Sequence, residues 1–288
     1  LSSFDNPQLD PAPPPGDPQP PLPLATGPFA PSDPPASAPK SGENPVWSGW
    51  DVLVIAGFTL LMLALTQLIV APLMLRYAYP RTGWLDIAQK PISALLAQLI
   101  TYIVVALYMI LLLEGKYHAR FWSAIRWNWP RRAAASLVGL GVLMLAFDFL
   151  ARFLPMPKTS PFDQFFAHPR DAYLTALFAV TLGPLMEELF FRGFMYPVLA
   201  RRLGVVAGIL LTALPFGLMH YLQYQSWAAV LIILLVGVVL TSVRAKTKSV
   251  AASFLAHVGY NGALMTITVL ATDGFRHMDK AALFLNLP

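Results

Sequence analysis

Seven long apolar runs dominate the chain between Val52 and Ala271, near residues 52–75, 91–113, 133–154, 173–200, 203–223, 227–243 and 250–271. A helix needs about 20 apolar residues to cross roughly 30 Å of hydrocarbon, and a backbone in lipid must satisfy its own hydrogen bonds. Runs of this length and number leave one architecture: an all-α, polytopic membrane bundle of about seven to eight transmembrane helices. Composition agrees, with 12% charged residues, 56% hydrophobic residues and a mean hydropathy of +0.58. A soluble domain carries about 25% charged residues.

The tryptophans support the segmentation independently. Trp47, Trp50, Trp84, Trp122, Trp127, Trp129 and Trp227 all fall at or beyond the ends of the runs, where amphipathic rings meet the headgroups. Basic residues cluster after the second run (Lys116, Arg120, Arg126, Arg131, Arg132), the fourth (Arg201, Arg202) and the sixth (Arg244, Lys246, Lys248). Alternate loops share one side of the membrane, and the positive-inside rule makes that side cytoplasmic. Arg76, Arg81 and Lys90 in the first loop run against the pattern. The net charge of +5 therefore belongs to membrane topology rather than to a nucleic-acid face. The chain has no cysteine, which rules out thiolate catalysis and cysteine-ligated zinc.

Residues 1–46 hold 15 of the 27 prolines, mixed with Ser, Gly, Ala and Asp. Such a stretch neither propagates a helix nor buries a core, so a disordered tail is expected there, on the cytoplasmic side of a cell membrane. Residues 47–288 form the transmembrane domain. The basic, Trp-rich stretch 114–132 reads as a helix lying in the interface.

Ionisable groups inside a spanning helix cost roughly 2.5–3.5 kcal/mol each on insertion scales, and so point to function. Three clusters stand out. In the fourth run, Glu188 and Arg192 are four residues apart in the favourable acid-first order, and Glu187 lies about 100° around the helix, outside that pairing. The fifth run ends in Phe216-Gly-Leu-Met-His220. In the seventh, His257 and Asn261 share a helical face. Asp148 and Arg152 read as a further i,i+4 pair near a helix end, and Gln67 and Gln98 as interhelical hydrogen-bond partners. Counted along straight helices, Glu187 and His220 lie deeper than His257, a difference that tilt and kinks at Pro184 and Pro215 can reconcile.

Glu187-Glu188-x-x-x-Arg192, Phe216-x-x-x-His220 and His257-x-x-x-Asn261, in this order on membrane helices, resemble the three motifs of the CPBP intramembrane proteases. That family includes the type II CAAX prenyl endopeptidases and abortive-infection proteins, and the resemblance covers about residues 172–265. It implies hydrolysis of a peptide bond in a membrane-associated protein or peptide, of the CAAX type or unprenylated. Glu187 and His220 would activate water, His257 and Asn261 would stabilise the oxyanion, and Arg192 would hold Glu188. The resemblance leaves open a zinc or other divalent ion, for which Glu187, His220 and His257 are the candidate ligands. The partners expected are the lipid bilayer and the peptide substrate, with no nucleic acid. A non-catalytic scaffold or immunity-type protein is the alternative. A proton-coupled transporter is a weaker one, since no internal repeat is present.

Overall fold

A computed structural model describes residues 42–278, residue 158 excepted. The tail expected at residues 1–46 lies outside the described residues as far as residue 41. Every regular element among the described residues is helical, and seven helices are long and apolar enough to cross a membrane. They are Gly49–Tyr77, Pro91–Lys116, Ala134–Phe153, Pro169–Leu203, Val205–Tyr224, Trp227–Thr247 and Val250–Ala271, called here the first to seventh spans. Leu60, Leu143 and Leu270 are among the many large apolar side chains left exposed on their outer faces, the surface that lipid covers.

The spans pack through small and hydroxylic residues. Thr66 and Thr101 share a 2.8 Å hydrogen bond between the first and second spans, and Gln67 donates to Ser93 across the same contact. The third and seventh spans approach closely enough that backbones touch. A Cβ on Gly141 would lie 2.1 Å from the Ala256 carbonyl oxygen, and one on Gly259 2.4 Å from that of Val138. Only glycine permits this crossing.

Two ends of the bundle are tied together separately. At one, Glu43 accepts from Arg126 and Arg244, each at 3.0 Å, and Arg201 donates to the Pro45 carbonyl. Val250 N–H donates to the Arg126 carbonyl, and the Ser249 hydroxyl donates to that of Asn128. The basic loops after the second, fourth and sixth spans thus meet the segment entering the first span, as alternate crossing requires. At the other end, Phe162 stacks edge-on against Tyr224, and Phe166 and Tyr173 pack on Phe275.

Several local expectations change. The stretch 114–132 is not one interfacial helix: Phe121–Ala124 is a four-residue helix, and Phe121 and Ile125 are buried in the core. Trp47 is also buried rather than interfacial, its indole N–H donating to the Phe194 carbonyl at 3.0 Å. Asp148 does not pair with Arg152, because Met144–Phe153 is a 3-10 helix. With three residues per turn, positions i and i+4 fall about 120° apart. Asp148 instead accepts from the Tyr260 hydroxyl at 3.0 Å, and the Arg152 guanidinium lies over the Phe149 ring.

Candidate active site

The acidic pair sits where the fourth span changes its winding. After the α-helix Pro169–Val180 and a break at Thr181, the α-helix Leu182–Glu187 passes into a π-helix, Glu188–Met195. A straight-helix depth count therefore fails here, and π-turns are frequent at functional sites. Arg192 still reaches back one turn, donating from Nη1 to Glu188 Oε1 at 2.8 Å. Its Nη2 donates to the Gly237 carbonyl at 3.1 Å and its Nε to the Thr241 hydroxyl at 3.2 Å. The guanidinium carbon lies 4.3 Å from the centre of the Phe216 ring. Both partners of the ion pair are fully buried, so the sixth span and the second-motif phenylalanine complete the satisfaction of the cation.

Glu188 also anchors the third motif. Its Oε1 lies 2.9 Å from His257 Nδ1, and since a carboxylate accepts, Nδ1 carries the proton. The other ring nitrogen, Nε2, lies 3.7 Å from Glu187 Oε2, close enough for electrostatic attraction but beyond a hydrogen bond. His220 is fixed similarly: its Nδ1 lies 2.8 Å from the Phe216 carbonyl oxygen. A carbonyl only accepts, so Nδ1–H donates and Nε2 is left as the basic nitrogen of the neutral ring. Asn261 donates one amide hydrogen to the Ala179 carbonyl at 2.8 Å, which bridges the seventh span to the fourth.

Glu187, His220, His257 and Asn261 line one cavity of about 500 Å³. Glu188 and Arg192 do not line it; they lie behind its wall and hold His257 from the rear. The six sequence-chosen residues thus form one cluster with two layers. The second span adds Gln98 and Tyr102 to the cavity. Gln98 was expected to bridge helices, but it donates to the Tyr102 hydroxyl one turn along its own helix at 2.7 Å. Tyr102 stacks on Phe178, and hydropathy gives no sign of either contact. Phe162 and Phe165, from the 3-10 segment Pro161–Phe166 that precedes the fourth span, form part of the wall.

Glu187, His220 and His257 share the cavity, yet among the described residues no three His, Asp or Glu side chains are grouped to hold an ion. His257 and His220 each direct Nδ1 to a protein acceptor, which leaves Nε2 as the nitrogen that could serve as a base or as a ligand.

No curated protein and no solved structure matches the chain. Residues 169–263, from the start of the fourth span to the middle of the seventh, carry all three motifs and match the family model described as type II CAAX prenyl endopeptidase Rce1-like.

Proposed function

We propose that this protein is an intramembrane endopeptidase that hydrolyses a peptide bond in a membrane-associated protein or peptide. The observation that carries the reading is the convergence of Glu187, His220, His257 and Asn261, from three separate spans, on one cavity. Water in that cavity attacks the scissile carbonyl carbon and gives a proton to the Glu187 carboxylate or to His220 Nε2. A positioned base of this kind contributes about 10²–10⁴-fold. The carbonyl oxygen takes up the negative charge. Asn261 keeps one amide hydrogen for it, and His257, its Nδ1–H fixed on Glu188, donates from Nε2 when that nitrogen also carries a proton. Preorganised donors shielded from bulk water are worth far more than the same groups in solution. The carbon–nitrogen bond then breaks, the proton passes to the leaving amine, and a carboxylate and an amine depart.

Glu188 and Arg192 are positioning residues in this scheme. The segment Gly42–Trp47 and the basic loops lie on the cytoplasmic side of a cell membrane. The family name carries a prenylated C-terminal peptide as one substrate class, and an unprenylated membrane segment meets the same chemistry.

The test is terminal proteomics of membranes from cells expressing the wild type, Glu187→Ala or His220→Ala. Protein termini that appear with the wild type and vanish in both variants support the reading. Identical terminal profiles in all three favour a scaffold.

A further inference from the structure

A threonine in a membrane helix ordinarily settles its hydroxyl on its own backbone, because lipid offers no acceptor. Thr59, Thr66, Thr212, Thr241, Thr266 and Thr268 do so here, each donating to the carbonyl four residues earlier at 2.7–2.9 Å. Thr175 in the fourth span does not. It is 3% exposed, and among the described residues its Oγ1 has no hydrogen-bond partner. A buried hydroxyl left unpaired is unfavourable, so each instance calls for a reason.

Its position supplies one. Thr175 lines the cavity that holds Glu187, and so do Ala179 and Gly183, at every fourth residue between them. Four residues make about one helical turn, so threonine, alanine and glycine leave a trough along one face of the fourth span. A Cβ on Gly183 would meet nothing nearer than the Phe178 carbonyl oxygen at 3.4 Å. The missing side chain is therefore open space, unlike Gly141, where a neighbouring backbone fills it. Asn261 enters beside the middle of the trough, its amide held on the Ala179 carbonyl at 2.8 Å. Glu187, Asn261 and Thr175 thus follow one another along a single face.

A peptide bound in such a cavity leaves water behind, and its backbone N–H and C=O groups then need partners. An extended chain presents these groups on one side every two residues, about 6.6 Å, comparable with the pitch of about 5.4 Å that separates successive turns of the trough. We infer that the trough from Thr175 to Gly183 is a peptide-binding subsite, in which Thr175 Oγ1 hydrogen-bonds the backbone of an extended substrate segment whose scissile bond lies at Glu187. Thr175 acts away from the reacting atoms, so it sets affinity and register rather than the chemical rate. The word substrate rests on the peptidase reading, while the unpaired hydroxyl in the cavity wall does not.

Thr175→Val keeps the side-chain shape and removes the hydroxyl. With purified protein in lipid nanodiscs and a peptide spanning a Glu187-dependent cut site, KM should rise about 3–10-fold with kcat unchanged, as expected for one hydrogen bond made equally in ground and transition states. Tm should not fall, because a hydroxyl that bonds nothing in the free protein leaves no group orphaned when it is removed. Thr175→Ser should return KM to near the wild-type value. An unchanged KM would show that the hydroxyl holds only water, and a lowered Tm would show that it has a structural partner; either overturns the inference. Because the chain has no cysteine, access can be read separately. Thr175→Cys should react with methyl methanethiosulfonate in the folded protein, while Thr212→Cys, fully buried and outside the cavity wall, should react only after unfolding. Equal behaviour of the two thiols, in either direction, overturns the subsite. If no Glu187-dependent cut exists, the peptidase reading and the substrate role of Thr175 fall together, while the labelling still decides whether this position opens on the cavity.

Discussion

Replacing Arg192 by methionine keeps most of the side-chain volume and removes the cation that holds Glu188. The cost can be traced group by group. Thr241 still donates to the Gly237 carbonyl at 2.7 Å, so neither of those partners is orphaned. Glu188 keeps its His257 contact but loses its counter-ion in a fully buried setting. Breaking one side of a buried ion pair costs about 3–5 kcal/mol, which in a domain of this size is on the order of 10 °C in Tm. The double variant Glu188→Gln/Arg192→Met removes the stranded charge, so it should be about 1–3 kcal/mol more stable than Arg192→Met alone. Arg192→Lys should fall between the two, because an ammonium cannot reproduce the planar fork or the stacking on Phe216. Unfolding of all four proteins in mixed detergent micelles measures these differences. An Arg192→Met protein within 1 kcal/mol of the wild type, or a double variant no better than the single one, would refute the view that Arg192 serves mainly to neutralise Glu188.

Gly259→Ala should force the third and seventh spans apart, costing about 1–3 kcal/mol, and should slow cleavage because His257 and Asn261 ride on the displaced helix; thermal scans and rate measurements on one preparation check both. Glu43→Ala should destabilise the basic end by about 3 kcal/mol through the stranding of buried Arg244, with faster hydrogen exchange confined at first to residues 42–48. Since Glu187, His220 and His257 do not assemble a ligand set, cleavage by the purified protein should persist after exhaustive dialysis against a strong chelator, and restoration of a lost activity by zinc would show that arrangement to be incomplete.

What could be read from sequence was whatever depends on spacing within a single helix. Span lengths follow from hydrophobic run length, and the Glu188–Arg192 pair and the shared face of His257 and Asn261 follow from helical periodicity. Contacts between helices leave no such trace. Nothing local to His257 signals that its Nδ1 meets Glu188, and nothing in Glu43, beside a proline-rich stretch, signals a buried clamp for two arginines. Periodicity also misleads where the winding changes, as at Asp148, whose partner is set by a 3-10 segment. Gln98 and Tyr102 went unnoticed as cavity residues because a polar group on an apolar helix looks the same whether it faces a neighbour or a cavity.

The central claim is that Glu187 activates a water molecule for attack on a peptide bond, and isotope incorporation tests it most directly. Purified protein in lipid nanodiscs is incubated in ¹⁸O-labelled water with a peptide spanning a Glu187-dependent cut site, and the products are weighed by mass spectrometry. The wild type should place one heavy oxygen in the new C-terminal carboxylate. Glu187→Gln, with its fold and melting behaviour retained, should lose product formation by about 10²–10⁴-fold. Cleavage by that variant at the wild-type rate would contradict the account.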